Sequence, residues 1–110
     1  MSARSRNKGK RGEREAAQAL RDLGYEAKRG VQHAGGPDSP DVISDFPFHV
    51  EVKRVERLQL WSAYQQALKD ATAAGRPPCV LHRASRQPWL ITMSLEDFHN
   101  HKGQNKNTDT

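Results

Sequence analysis

From about Arg11 to Leu23 apolar positions recur at helical spacing, with Ala16, Ala17, Leu20 and Leu23 on one side and Gly24 where a helix commonly ends. Tyr25 to about Val31 predicts a first strand, and Gly35-Gly36-Pro37-Asp38-Ser39-Pro40 must be loop. Asp41 to Ser44 and Phe46 to Val55 predict two further strands, joined by a tight turn near Asp45 and Pro47. Leu58 to Ala74 predicts a second helix, with Leu60, Tyr64, Ala67, Leu68 and Ala71 on one face and Gly75 as a stop before Pro77-Pro78. Cys79 to Leu81 and Trp89 to Met93 are short apolar strands around a polar turn at Ser85 to Pro88, and Ser94 caps a short final helix. The order helix, three strands, helix, two strands, helix predicts an α/β sandwich whose mixed central sheet is flanked by helices.

The ends of the chain lack this periodicity. The first twelve residues carry Arg4, Arg6, Lys8, Lys10 and Arg11 with no acid, so residues 1–10 are expected to form a flexible basic arm. Residues 11–99 form one domain, and residues 100–110 a disordered polar tail. Cations just before a helix N-terminus oppose its macrodipole, which points to a requirement other than helix stability, with phosphate as the obvious partner. The expected DNA contacts are Arg4, Arg6, Lys8, Lys10, Arg11 and, inside the helix, Arg14.

Composition narrows the classes. A chain of 110 residues holds a single modest core, too little for a cofactor domain beside a substrate domain. Eighteen Lys and Arg against thirteen Asp and Glu leave a net charge of +5, which favours a polyanionic partner. Cys79 is the only cysteine, so neither a disulfide framework nor a thiolate zinc site can form, and a reducing compartment is implied. No apolar run approaches the roughly 20 residues that cross a bilayer, and no signal core opens the chain. The expected location is the cytoplasm, for a nucleoid-associated protein or a viral protein acting in its host.

The chemistry lies in Phe48-His49-Val50-Glu51-Val52-Lys53, where alternation turns Phe48, Val50 and Val52 to the core and His49, Glu51 and Lys53 to a polar face. With the turn centred near Phe46, an antiparallel register sets Asp41 opposite Glu51, and two facing carboxylates repel unless a cation lies between them. Hard oxygen ligands at this density suit Mg²⁺ or Mn²⁺, and Lys53, about 7 Å along the strand, reaches the same spot. Those are the ingredients of phosphodiester hydrolysis: a metal to polarise phosphate and acidify water, and a lysine to orient the water or neutralise the developing charge.

Pro40-Asp41, the ten-residue spacing and Glu51-Val52-Lys53 resemble the PD-(D/E)XK nucleases. Gly9-Lys10-Arg11-Gly12-Glu13-Arg14, opening a helix that ends in Leu23-Gly24-Tyr25, is similar to the archaeal and phage Holliday-junction resolvases within that superfamily. The resemblance covers roughly residues 8 to 95. It implies a restriction-endonuclease-like sandwich and a homodimer, with Glu13, Asp41 and Glu51 at a metal site together with Val52, and Lys53 catalytic. It also implies a glutamine approaching from the following helix, Gln66 or the adjacent Gln65. The expected function is Mg²⁺-dependent endonucleolytic cleavage of branched DNA, with Mn²⁺ able to substitute and four-way junctions as the leading substrate. The alternatives are a nuclease of the same type for flaps, single strands or a restriction site, and a non-catalytic DNA-binding module of the same fold. Intact Asp41, Glu51 and Lys53 argue against the last.

Plainer roles stay open for these residues. Asp41 after Pro40 suits a turn or Asx cap, Glu13 suits the dipole of a first helical turn, and Glu-X-Lys suits a solvated strand face. Glu15 reads as solvated, and Asp38 lies in the loop and not at a strand start. His49 reads as pairing with a neighbour. His99-Asn100-His101 spells HNH, but the nuclease motif of that name uses widely separated letters. Trp61 and Trp89, at core spacing, read as buried and not as platforms for bases. The basic arm also serves solubility.

Overall fold

The computed structural model describes the backbone of residues 3–30 and 41–108 and the side chains of residues 10–30 and 41–102. Its elements run α1 (Ala3–Asp22), β1 (Ala27–Arg29), β2 (Val42–Ser44), β3 (His49–Arg54), α2 (Leu60–Ala74), β4 (Pro78–Arg83), β5 (Leu90–Thr92) and α3 (Leu95–Thr108), the predicted order. The predicted Gly35 to Pro40 loop, with Asp38, lies outside the described residues, as do the side chains of Arg4, Arg6 and Lys8.

Two features depart from expectation. The helix expected from Arg11 starts at Ala3, so the backbone of the expected arm is helical from that residue on. Likewise α3 continues to Thr108, through the expected tail. Once a helix is anchored, each added residue gains one hydrogen bond without a new nucleus, and Arg, Lys and Ala have high helix propensity, so no apolar face is needed to carry α1 outward.

The strand pairing also differs. β2 and β3 do not form a hairpin: β2 pairs antiparallel with β1, Ala27 opposite Ser44, in a two-stranded sheet. β3 pairs in parallel with β4, Glu51 opposite Val80, and β4 pairs antiparallel with β5, giving a mixed three-stranded sheet in the order β3-β4-β5. The reason is cover. Parallel strands need both faces buried and a helical crossover, and α2 supplies the crossover between β3 and β4. Asp45 holds β2 to β1 instead, its Oδ1 accepting from the Glu26 N–H at 3.0 Å and its N–H donating to the Glu26 carbonyl at 3.2 Å.

Alternate residues of the sheet feed two cores. Val50, Val52, Cys79 and Leu81 pack with Ala16, Ala17 and Leu20 of α1, while Val80 packs with Ala63 and Ala67 of α2. Each buried aliphatic side chain contributes about 1.5–3 kcal/mol. The buried face of α2 is the alanine row Ala63, Ala67 and Ala71, so Leu68, expected to face inward, stands 43 % exposed. The row lets α2 lie close on the sheet. α2 ends at Gly75 in the left-handed conformation, φ 71°, its N–H bonded to the Ala71 carbonyl at 3.1 Å. Ser94 caps α3 as expected, its Oγ accepting from the Asp97 N–H at 3.0 Å.

α1 crosses β3 at Gly12. A Cβ at Gly12 would stand 2.6 Å from the Cβ of Arg54, an atom fixed to the backbone. Gly12→Ala gains helix propensity but must push α1 off β3, and overpacking of this kind costs about 1–3 kcal/mol. The expected outcome is a net loss of stability, read as a lower midpoint in urea unfolding; an unchanged or higher midpoint would show that α1 does not rest on β3 here.

Candidate active site

The site is built on the edge of β3 that β4 leaves free. Asp41 stands just before β2, and its Oδ2 accepts the Val52 N–H at 2.8 Å, taking the place of a neighbouring strand. The two acids therefore meet without the expected hairpin. Glu51 projects from the other face of β3, beneath α2, and is 4 % exposed. Lys53 follows two residues on, its Nζ 3.7 Å from Glu51 Oε2 and 3.5 Å from Gln66 Oε1. Gln66, rather than Gln65, is thus the α2 glutamine at the site. Asp70, one helical turn further along α2, acts on both Asp41 and Glu51 through its charge.

Two carboxyl groups buried this closely resist ionising together. Burial, and then the charge of Asp41, pushes the Glu51 carboxyl up to about 8, while Lys53 pulls it back. Burial pushes Asp41 up to about 6, against the Val52 N–H that favours its ionised form, with Glu13 adding to the rise. His49, buried on the same face of β3, is held below its usual value by that burial.

The donor set fits a hard cation in a particular way. Asp41 and Glu51 offer two carboxylates whose repulsion a divalent ion would relieve, and Val52 provides main chain between them. Among the described residues no group of three or more His, Cys, Asp or Glu side chains is placed to hold a metal ion. Glu13, expected at the metal, pairs instead with Arg29, Oε1 to Nε 3.0 Å, and reaches Asp41 through its charge. A pair of carboxylates suits a hard divalent cation that would take its remaining oxygen ligands from elsewhere.

Other expectations resolve as follows. Lys10, Arg11 and Arg14 are exposed on α1. Trp89 is half-buried against the α1 core, but Trp61 is 76 % exposed, because α2 turns its alanine row, with Tyr64 beside it, to the sheet. The His101 ring packs on Phe48 at 4.9 Å, a structural contact. Glu15 is not a solvated acid: its Oε1 accepts from Arg54 Nε at 3.2 Å and Arg83 Nη1 at 3.1 Å, tying α1 to the ends of β3 and β4. Glu56 continues the network, accepting from Ser85 Oγ at 2.6 Å and from Arg54 Nη1 at 3.3 Å. Arg29, Asp70 and this clamp escaped sequence reading. Only Asp70 carried a signal, four residues beyond Gln66 on one helix face.

A sandwiched mixed sheet with Asp, Glu-X-Lys and a helix glutamine at a free strand edge defines a nuclease of the PD-(D/E)XK type. Residues 4–110 match the family described as "Phage putative PDDEXK endonuclease", and the chain belongs to it. Its fold is similar to that of Hjc, a Holliday junction resolvase from the archaeal hyperthermophile Archaeoglobus fulgidus, with TM-score 0.60 and 23 % identity over 76 % of this chain and 73 % of that one. No match is found among curated proteins. No described helix is long and apolar enough to cross a membrane.

The raised carboxyls set a pH dependence. A group whose pKa is higher folded than unfolded binds more protons in the native state, so stability falls as pH rises between the two values. From the ordinary 3.8 and 4.5 to about 6 and about 8, Asp41 and Glu51 make the metal-free protein lose stability between about pH 4 and pH 8. Melting scans in EDTA should show this decline, and Glu51→Gln should flatten its upper part; an equal decline in the variant would remove Glu51 as its source.

Proposed function

We propose that this chain is a divalent-metal-dependent endodeoxyribonuclease acting on branched DNA, four-way junctions foremost, as a homodimer. The observation that carries the reading is the buried Asp41–Glu51 pair on the free edge of β3 with Lys53 Nζ 3.7 Å from Glu51. Membership of a PD-(D/E)XK endonuclease family supports the chemistry, and the shared fold with a junction resolvase supports the substrate.

Asp41 and Glu51, with the main chain of Val52, would hold Mg²⁺ or Mn²⁺. Such an ion, when bound, supplies positive charge to the scissile phosphate and acidity to an attacking water. Lys53 adds a cation at the same place: it orients the water and offsets the negative charge that gathers as the new bond to phosphorus forms and the bond to the leaving strand breaks. Gln66 limits the positions Lys53 can take. Arg54, next in sequence, is clamped to Glu15, so the end of the catalytic strand moves little. Glu13 and Arg29 stand beside the pair, where Arg29 can meet a phosphate. Lys10, Arg11 and Arg14, with Arg4, Arg6 and Lys8 earlier in α1, contribute salt-dependent affinity for the DNA backbone.

Glu51→Gln removes the charge while keeping the shape. It is expected to lower single-turnover cleavage by more than about 100-fold while junction binding persists. Wild type, but not this variant, should melt at a higher temperature in millimolar Mg²⁺ or Mn²⁺, because an ion bound only by the native state shifts the unfolding equilibrium. Full cleavage by the variant would remove Glu51 from the site.

Substrate choice is read by incubating the protein with a four-way junction, a flap and a linear duplex, in Mg²⁺ or in EDTA. Cleavage of the junction in preference to the others, and only with metal, is the expected result. Preferred cutting of the flap or duplex would move the assignment to another DNA structure, and no cutting of any would favour a binding module.

A further inference from the structure

The polar row of the active edge does not stop at Glu51. Lys53, Glu51 and His49, two apart, share one face of β3, and Gln66, Asp70 and Ala74, four apart, lie along one side of α2. The rows run in opposite directions: Lys53 meets Gln66 at 3.5 Å, Asp70 acts on Glu51 through its charge, and His49 and Ala74 line a common cavity. That cavity, about 280 Å³, is also lined by Val42 and Ser44 of β2, the strand that Asp41 heads, and by Arg76 just beyond the end of α2. It therefore continues the line of the two acids, with His49 about 7 Å from Glu51 along the strand.

Two side chains of the cavity are placed but not used. Arg76 donates from Nη1 to the carbonyls of both Ser44 and Phe46, each at 3.0 Å, so its guanidinium is held against the link between β2 and β3. Its Nε and Nη2, the parallel fork of an arginine, have no partner among the described residues, and no carboxylate there pairs with it. Arg29, Arg54 and Arg83, by contrast, are each answered by a glutamate. His49 is 6 % exposed, and its ring, expected to pair with a neighbour, makes no hydrogen bond among the described residues. Since no fully buried side-chain nitrogen among those residues is left unpaired, the His49 ring nitrogens open on the cavity.

Size and charge select the occupant. At about 280 Å³ the cavity lies below the roughly 300–1,000 Å³ of sites that enclose a whole small ligand, so it suits one part of a larger molecule. A fixed guanidinium with a free fork matches the paired oxygens of a phosphate, and a ring N–H of His49 adds a further donor. A carboxylate would match the fork as well, but continuity with the edge of Asp41 and Glu51 favours the strand that this edge would cut.

We infer that Arg76 and His49 hold a phosphate of the DNA strand that neighbours the scissile one. This rests on the nuclease reading and adds a contact which that reading does not contain. The groove between α2 and the free edge of β3 carries one strand, from Lys53 and Gln66 at one end to Arg76 at the other. Such a contact fixes which phosphate lies over the acids and reads no base sequence. Arg76 is a binding residue and takes no part in the chemical step.

The test measures binding of the full chain to a four-way junction in EDTA, so that nothing is cut. Arg76→Gln should raise the dissociation constant by about 10-fold and flatten the slope of log K against log salt by about 0.9 for each engaged site. Neutral methylphosphonates placed singly along the strands then locate the contact. At one position in each symmetry-related strand the substitution should weaken wild type by about 10-fold and Arg76→Gln by less than about 2-fold, the non-additivity of two groups that touch. Mapping the wild-type cut in Mg²⁺ should put the scissile bond beside that position. Arg76→Lys keeps the charge and a donor for the carbonyls but not the fork. It should fall between the two, and it takes the place of Arg76→Gln if circular dichroism shows that variant unfolded. A folded variant with the wild-type constant and slope would make Arg76 a fastener between α2 and β2 and overturn the inference. So would a scan in which every methylphosphonate costs wild type and variant equally. Neither measurement needs cleavage. A junction bound with the Arg76 signature but never cut would fail the nuclease reading alone, and a junction cut by both and bound equally by both would fail this inference alone.

Discussion

The structure depends on burying two carboxylates beside one another at a strand edge. Asp41 is held there by a main-chain N–H of β3, and Glu51 by its place beneath α2. Neither position is comfortable for an anion, and the shared burial holds both carboxyls above their usual range. Such strain persists only when the surroundings leave no other arrangement. Here the surroundings are a parallel strand pair covered on both faces, which fixes β3 as rigidly as a small domain allows. Lys53 and Gln66 complete the edge, a cation and a neutral donor–acceptor set against two acids.

Two helices hold this strand from opposite sides by different means. α2 approaches on alanines, and packing sets the distance from its polar Gln66–Asp70 side to Glu51 and Lys53. α1 approaches at Gly12 and is locked by Glu15 to Arg54 and Arg83. Partly buried ion pairs of this kind contribute little net stability once desolvation is counted, but they specify geometry. The geometry specified is the height of α1 over β3, and with it the position of Glu13 and Arg29 beside Asp41.

The molecule also separates its surfaces. Exposed cations line α1 at Lys10, Arg11 and Arg14, with others at Arg57, Lys69, Arg76 and Arg86, while five of the eight exposed large apolar side chains among the described residues, Trp61, Leu90, Ile91, Leu95 and Phe98, belong to β5 and the starts of α2 and α3. The Asp41–Glu51 edge and the β5 edge are opposite sides of one three-stranded sheet.

Element order, helix stops at Gly24 and Gly75, the Ser94 cap and the inward set Val50, Val52, Ala16 and Leu20 were all legible in the sequence, because each follows from local periodicity or turn chemistry. So was the placing of Glu51 and Lys53 on one strand face, since two-residue alternation decides it; Asp41 was grouped with them through the resemblance and through a hairpin register that the structure replaces with its bond to the Val52 N–H. The partner of each strand was not legible: whether β3 pairs with β2 or β4 depends on cover from α1 and α2, a long-range matter. The same holds for Trp61, whose exposure follows from which face of α2 the sheet selects. It holds for Glu15 and Arg29 as well, whose partners lie 39 and 16 residues away. Local pattern determines which residues can do chemistry; only tertiary packing decides which of them meet, because contacts between distant segments are set by how the layers cover one another.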